Sequence, residues 1–203
     1  MYLEHIFSEL LLKIGFNQIE TTSHWDNLQK GYTQKSRHYH NLNHLQEMIV
    51  CFEKYKDCLQ FPHEILYSIF YHDYIYKATS KENELKSAEF AVSILPTNTK
   101  INKDLVFEMI LATKLHEHSL VEDINWLIDF DLKILSKEWK DYEVYFKQIR
   151  KEYRIYPNFM YNPGRKKALE HFLEKETIYL TKTFRMQYEK QARENIKREI
   201  ALL

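Results

Sequence analysis

Three glycines and four prolines are all the chain contains in 203 residues. A fold with many tight turns draws on glycine for positive φ and on proline for a preset φ, so this scarcity argues against an all-β chain and for long uninterrupted elements. The apolar residues recur at helical period over most of the length. In residues 2–16, Leu3, Ile6, Phe7, Leu10, Leu11 and Ile14 form one stripe, and in 41–56 Leu42, Leu45, Met48, Ile49 and Phe52 do the same, with Asn41 placed to cap the start. Pro62 suits the first turn of a helix running to about Tyr74. A helix over 80–95 follows, with Ser80 and Glu84 near capping-box spacing, then helices over 103–115, 121–135 and 138–154. Asn162-Pro163-Gly164 reads as a turn, after which come helices over about 164–175 and 184–201. The expectation is an all-α, single multi-helix domain spanning 1–203, with about nine helices.

The composition is that of a globular chain, 44% hydrophobic and 29% charged. A formal net charge of +0 lacks the basic footprint of a nucleic-acid binder, so no nucleic-acid polymer is expected as a partner. No apolar run approaches the roughly 18 residues of a membrane span. Residues 1–16 carry Glu4, Glu9 and Lys13 among their apolar residues and do not read as a signal peptide. Cys51 and Cys58 stand seven apart on helical sequence, roughly 10 Å, too far for a disulfide. Free thiols of this kind fit a reducing cytoplasm. The pattern says nothing of oligomeric state.

Ten histidines are present, and several of them cluster. His72-Asp73 ends the apolar run Ile65-Leu66-Tyr67-Ser68-Ile69-Phe70-Tyr71. Neighbouring helical residues project about 100° apart, yet near a frayed helix end one cation can take both. Upstream lies His38-Tyr39-His40-Asn41-Leu42-Asn43-His44, and downstream His116-Glu117-His118 and Asp129-Phe130-Asp131. Asp131 interrupts the apolar set Trp126, Leu127, Phe130, Ile134 and Leu135. A carboxylate on a buried face needs a compensating charge, which a metal supplies. Imidazole nitrogens together with carboxylate oxygens suit Mn²⁺, Fe²⁺, Co²⁺, Ni²⁺ or Zn²⁺ better than Ca²⁺, and Mg²⁺ stays among the candidates.

The order His44, His72-Asp73, Asp131 resembles the HD superfamily of metal-dependent phosphohydrolases. Further stretches resemble one bacterial branch of predicted HD-domain hydrolases: Tyr39-His40-Asn41-Leu42-x-His44, Tyr71-His72-Asp73-x-Ile75-Tyr76, Asn83-Glu84-x-Lys86-Ser87-Ala88-Glu89, Leu111-Ala112-Thr113-Lys114-x-His116 and Asp129-x-Asp131-Leu132. So do Tyr142-x-x-Tyr145, Ile149-Arg150-x-Glu152-Tyr153, Tyr161-x-x-Gly164-Arg165 and Ala192-Arg193-x-Asn195, and the resemblance extends over roughly residues 25 to 200. It implies helices around a metal pocket, His44, His72, Asp73 and Asp131 as ligands of a divalent ion, and hydrolysis of a phosphate ester or anhydride by a metal-activated water. The implied substrate is a small phosphorylated molecule, with nucleotides as the leading class. Asp73 is also assigned to the nucleophilic water.

The neighbours leave alternatives open. His40 is a supporting partner of the ligands or a core histidine. His116 and His118 bind a second metal or contact phosphate, and the pattern around His116 favours it as the substrate contact. Lys114 and Arg37 are candidate phosphate contacts or solvated charges, and Glu84 is placed for acid–base work. Asp129 reads as a cap or a surface residue. Of Arg150, Arg165 and Arg193, one could clamp phosphate bidentately, with Arg165 put forward; ion pairs between helices explain them as well. The tyrosines from Tyr142 to Tyr161 pack helices, and one could stack on a ring. Two competing readings are a metal-holding binding or sensory protein without turnover, and an oxygen-using HD protein with two irons.

Overall fold

The structure, a computed structural model, describes residues 2–203 and is all-α. Among the described residues there are ten α-helices and no strand: α1 (Tyr2–Ile14), α2 (Gln18–Tyr32), α3 (Leu42–Tyr55), α4 (Pro62–Tyr71), α5 (Asn83–Ser93), α6 (Lys103–Ala112), α7 (Glu122–Asp131), α8 (Trp139–Glu152), α9 (Asn158–Glu174) and α10 (Lys182–Ile200). Short 3-10 turns extend α3 over Lys56–Cys58 and α7 over Leu132–Ser136.

The organising element is α4. Every residue from Glu64 to Tyr71 is buried, so the helix is enclosed on all sides rather than amphipathic. It packs against α1, α3, α5, α6 and α7. Pro62 opens it at the first position, where a missing N–H costs nothing. Around α4 one hydrophobic cluster runs from Leu3 on α1 to Ile196 on α10. α10 lies against α8, α9 and the Leu132–Ser136 turn and puts Phe184, Ala192 and Ile196 into that cluster, so the charged C-terminal helix packs on its own core. Burial of this kind contributes about 25 cal/mol per Å² of apolar surface removed from water.

The structure differs from the sequence expectation in several places. The whole of α2 is additional: its apolar residues are sparse, but Trp25, Leu28 and Tyr32 share a buried face and Asn17 with Glu20 forms a full capping box. The expected break at Asn162-Pro163-Gly164 is absent, because α9 starts at Asn158 and passes straight through it. Pro163 sits near the start of that helix, where it forfeits a single backbone bond, and Asn162 Nδ2 is tied to the Leu203 carbonyl at 2.9 Å. Ser80 does not cap with Glu84; its hydroxyl accepts the Glu82 N–H, and the Asn83 side chain brackets Lys77 through both its N–H and its carbonyl. Asn41 does cap α3, accepting the Asn43 N–H at 2.9 Å. Gly15, at φ +118°, ends α1 in a conformation open to glycine.

Both cysteines are free; burial pushes the Cys51 thiol up to about 11, and Cys58 is exposed. No described helix is long and apolar enough to cross a membrane.

Candidate metal centre

Three buried helix ends deliver the cluster. His72 is the C-terminal cap of α4, its N–H bonded to the Ser68 carbonyl at 2.8 Å, and Asp73 begins the following turn. His44 lies in the first turn of α3, and Asp131 is the last residue of α7. Two devices hold the segments that carry them. Arg37, itself buried, donates from Nη1 to the Asp73 carbonyl at 2.7 Å and from Nη2 to the Tyr74 carbonyl at 2.7 Å, while Tyr32 and Tyr76 face its guanidinium. Glu152, at the end of α8, accepts the N–H groups of His38, Tyr39 and His40 at 2.7, 2.7 and 3.0 Å. That carboxylate thereby fixes the loop that leads into His44.

The side chains meet closely. His44 Nε2 is 3.2 Å from His72 Nε2 and 3.2 Å from Asp131 Oδ1. Asp73 Oδ2 is 3.1 Å from His72 Nε2 and 3.9 Å from His44 Nε2. Ligand atoms of His44, His72 and Asp131 all lie within 4.8 Å of one another, so this trio could hold a metal ion; Asp73 reaches both imidazoles and adjoins that trio without belonging to it.

The chemistry of the donor set fits a cation. His72 Nδ1 is 2.9 Å from the Ile69 carbonyl, which can only accept. That bond puts the proton on Nδ1 and turns the Nε2 lone pair toward the cluster. The Nε2 atoms of both imidazoles and the oxygens of two carboxylates then converge at largely buried positions, an arrangement that calls for positive charge among them. Without a metal, protons serve. Burial alone would lower the His72 pKa, but the Asp73 and Asp131 carboxylates outweigh it and hold the imidazole at about 9. Burial likewise works against ionised Asp73 and Asp131, and the facing histidines overcome it and keep both below the usual carboxylate range.

A cavity of about 630 Å³ opens from this cluster, lined by Asp131, His40 and His116 at one end and by Tyr145, Tyr153, Tyr161, Arg165 and Phe172 beyond. His116 Nε2 is 3.4 Å from Asp131 Oδ2, the oxygen turned away from His44. Its backbone has φ +52°, a left-handed conformation costly for a non-glycine residue, and Lys175 grips its carbonyl at 2.7 Å. His40 Nδ1 is 2.6 Å from Glu152 Oε2, its ring stacks on Tyr76 at 4.3 Å, and Nε2 stands 3.9 Å from Asp73.

The other residues with expected roles divide between the cavity and the framework. The phosphate contact expected of Arg37 is not what the fold gives it, because its guanidinium is buried and bonded to backbone carbonyls. Lys114 is exposed and its Nζ donates to the Lys81 carbonyl at 2.7 Å, closing the turn before α5. Glu84, on α5, forms no hydrogen bond or ion pair with the cluster; its charge is felt at Tyr153. Arg165 does line the cavity, with Glu199 bound to it bidentately at 2.7 and 3.0 Å. Arg150 and Arg193 hold carbonyls at the ends of α8 and α9. His118 is exposed. Asp129 is no surface residue: it is fully buried and accepts Leu180 N–H, Thr181 N–H and Thr181 Oγ1 at 2.7, 2.8 and 2.7 Å.

Sequence reasoning missed Glu152 and the orphaned hydroxyl of buried Tyr39, whose ring lies 4.9 Å from that of His44. Glu152 sits in the Arg150-x-Glu152-Tyr153 stretch, so its type and place were visible, but its partners lie more than a hundred residues away. The fold and site thus define a helical domain with a candidate His/Asp metal centre at the end of a cavity. Compared with family models, with curated proteins and with solved structures, the chain matches none.

Proposed function

We propose that this chain is an HD-type metal-dependent phosphohydrolase acting on a small phosphorylated molecule. The observation that carries the reading is the convergence of two buried imidazoles and two carboxylates at the end of a cavity of about 630 Å³. The ordered motifs that resemble the HD superfamily, which extend beyond these residues, support it as well. His44, His72 and Asp131, with Asp73 beside them, would hold the ion. A divalent ion in such a site supplies Lewis acidity and a water that ionises near neutral pH.

The chain's own residues supply the rest. Asp73 Oδ2 stands between His72 Nε2 and His40 Nε2 and is placed to accept a proton from water or to orient it. Glu152 orients His40 through Nδ1, so that Nε2 faces Asp73 and the cavity. Tyr145 and Phe172 contribute ring surface to the cavity lining, Phe172 lying 5.7 Å from the His116 ring.

The test is elemental analysis of protein purified without chelator, followed by assays with Mn²⁺, Co²⁺, Ni²⁺ or Mg²⁺ against nucleotides and phosphate esters. About one transition metal per chain with phosphate or pyrophosphate release is the expected result. Bound metal without turnover on any ester would leave a binding protein instead. A second reading rests on His116 beside the outer oxygen of Asp131, since a carboxylate so flanked can bridge two ions. Two irons per chain with no phosphate release would favour the oxygen-using alternative.

A further inference from the structure

Given the phosphohydrolase reading, on which this rests, we infer that the substrate is a phosphate monoester whose other half is a planar aromatic ring, and not a polyphosphate. The argument is the chemistry of the cavity wall. Beyond the cluster the lining is mostly apolar and includes Leu132, Ile134 and Leu135 together with the rings of Tyr145, Tyr153 and Phe172. These rings are held in advance. The Tyr145 ring packs edge-on against Tyr39 at 4.7 Å, Phe172 packs against the His116 ring at 5.7 Å, and Tyr153 lies 6.0 Å from the Tyr161 ring, over which the Arg150 guanidinium sits at 4.6 Å. Preset rings lose little entropy when a planar group stacks on them.

Charge excludes the larger phosphates. The full cations lining the cavity are Lys81, exposed at the rim, and Arg165, whose charge is already matched by Glu199. A triphosphate carries about four negative charges and calls for several unpaired cations or a phosphate-cradling loop. One phosphoryl group needs only the metal, Lys81 and the flanking histidines. Among the described lining residues there is no Asn, Gln or Glu, and Asp131 is the one Asp, so a base edge would meet mainly hydroxyls such as those of Thr79, Ser80 and the tyrosines, each donor and acceptor at once. Rings are therefore held by their faces, with little discrimination among bases. In the reaction, the water oxygen bonds to phosphorus, the P–O ester bond breaks, and one water proton passes to the leaving oxygen. The products are inorganic phosphate and the ring-bearing alcohol or phenol.

The test compares Mn²⁺-loaded protein on 4-nitrophenyl phosphate, AMP, CMP, ribose 5-phosphate and ATP. We expect kcat/KM for the three ring-bearing monoesters to exceed those for ribose 5-phosphate and ATP by about tenfold. Tyr153→Ala and Phe172→Leu, each checked by thermal melting, should raise KM for 4-nitrophenyl phosphate about tenfold while leaving that for ribose 5-phosphate unchanged. Preference for ATP or for ribose 5-phosphate would overturn the inference and leave the hydrolase reading standing. Calorimetry with phenylphosphonate and methylphosphonate reads the cavity without turnover. Tighter binding of the phenyl compound with no hydrolysis of any ester sinks the hydrolase reading and keeps the ring-binding wall, and equal affinities overturn the wall itself.

Discussion

At the scale of single residues, the cluster divides into side chains that converge and side chains that hold them. Asp131 converges, since His44 and His116 lie on its two oxygens. Asp131→Ala should lower bound metal and any turnover by tenfold or more, and His171→Ala, at an exposed position on α9, should leave both unchanged. Equal effects in elemental analysis would remove Asp131 from the site. Glu152 holds, and its carboxyl shows how firmly. Burial pushes its pKa up, but the His40 imidazole, the backbone donors and the Tyr76 hydroxyl outweigh that and bring it down to about 2. A carboxyl lowered in the folded state stabilises fully above its unfolded value and loses that contribution as pH falls toward the folded one. The interaction is therefore worth about 3 kcal/mol at neutral pH and fades between about pH 4.5 and 2. His40, raised in the fold, stays protonated throughout that window. Urea titrations of wild type and Glu152→Gln should differ at pH 6 and converge toward pH 2; a constant gap would show that Glu152 acts by packing alone.

At the scale of elements, the helices differ in how openly they announce themselves. α1 and α3 are amphipathic and evident from periodicity, whereas α4, buried from Glu64 to Tyr71, is marked by its apolar run and by Pro62 at its start. α2 is marked in the sequence mainly by its cap, while Trp25, Leu28 and Tyr32 bury one face of it. Asn17→Ala should cost about 1 kcal/mol, read as a lower urea midpoint with unchanged slope. α9 makes the opposite case, because two residues that usually end helices lie within it. A Cβ on Gly164 would meet nothing within 4 Å, so Gly164→Ala should stabilise the protein by about 0.5–1 kcal/mol. Destabilisation in the same titration would mean that α9 breaks at that point. The reason sequence reads α9 poorly is physical: Pro and Gly penalties are local, and the burial of Tyr161 and Leu169 that overrides them comes from other elements.

At the scale of the whole molecule, the tie between the end of α7 and the start of α10 closes the fold. Asp129, buried and two residues before Asp131, receives three donors from Leu180 and Thr181, and Thr181 in turn caps α10 through the Phe184 N–H. Asp129→Ala should destabilise the protein by roughly 3 kcal/mol, since it strands buried donors. Combined with Thr181→Val, the loss should fall short of the sum of the single losses by about 1 kcal/mol, because both act on one network. Strict additivity in chemical unfolding would show that the two act separately.

The sequence alone determined the helical class, because periodicity and the scarcity of glycine and proline are local properties of the chain. Residue type and order along helices also offered histidines and aspartates as donors, the resemblance to the HD superfamily singled out His44, His72, Asp73 and Asp131, and the fold gathers His44, His72 and Asp131 with Asp73 beside them. Tertiary structure decided which charges are free. Arg37 reads as a phosphate contact until its guanidinium is seen buried against the carbonyls of Asp73 and Tyr74, and Asp129 reads as a surface cap until Leu180 and Thr181 are seen to enclose it. Such roles depend on partners tens of residues away. A buried polar group is defined by the donors and acceptors around it, and those are assembled only when the helices pack.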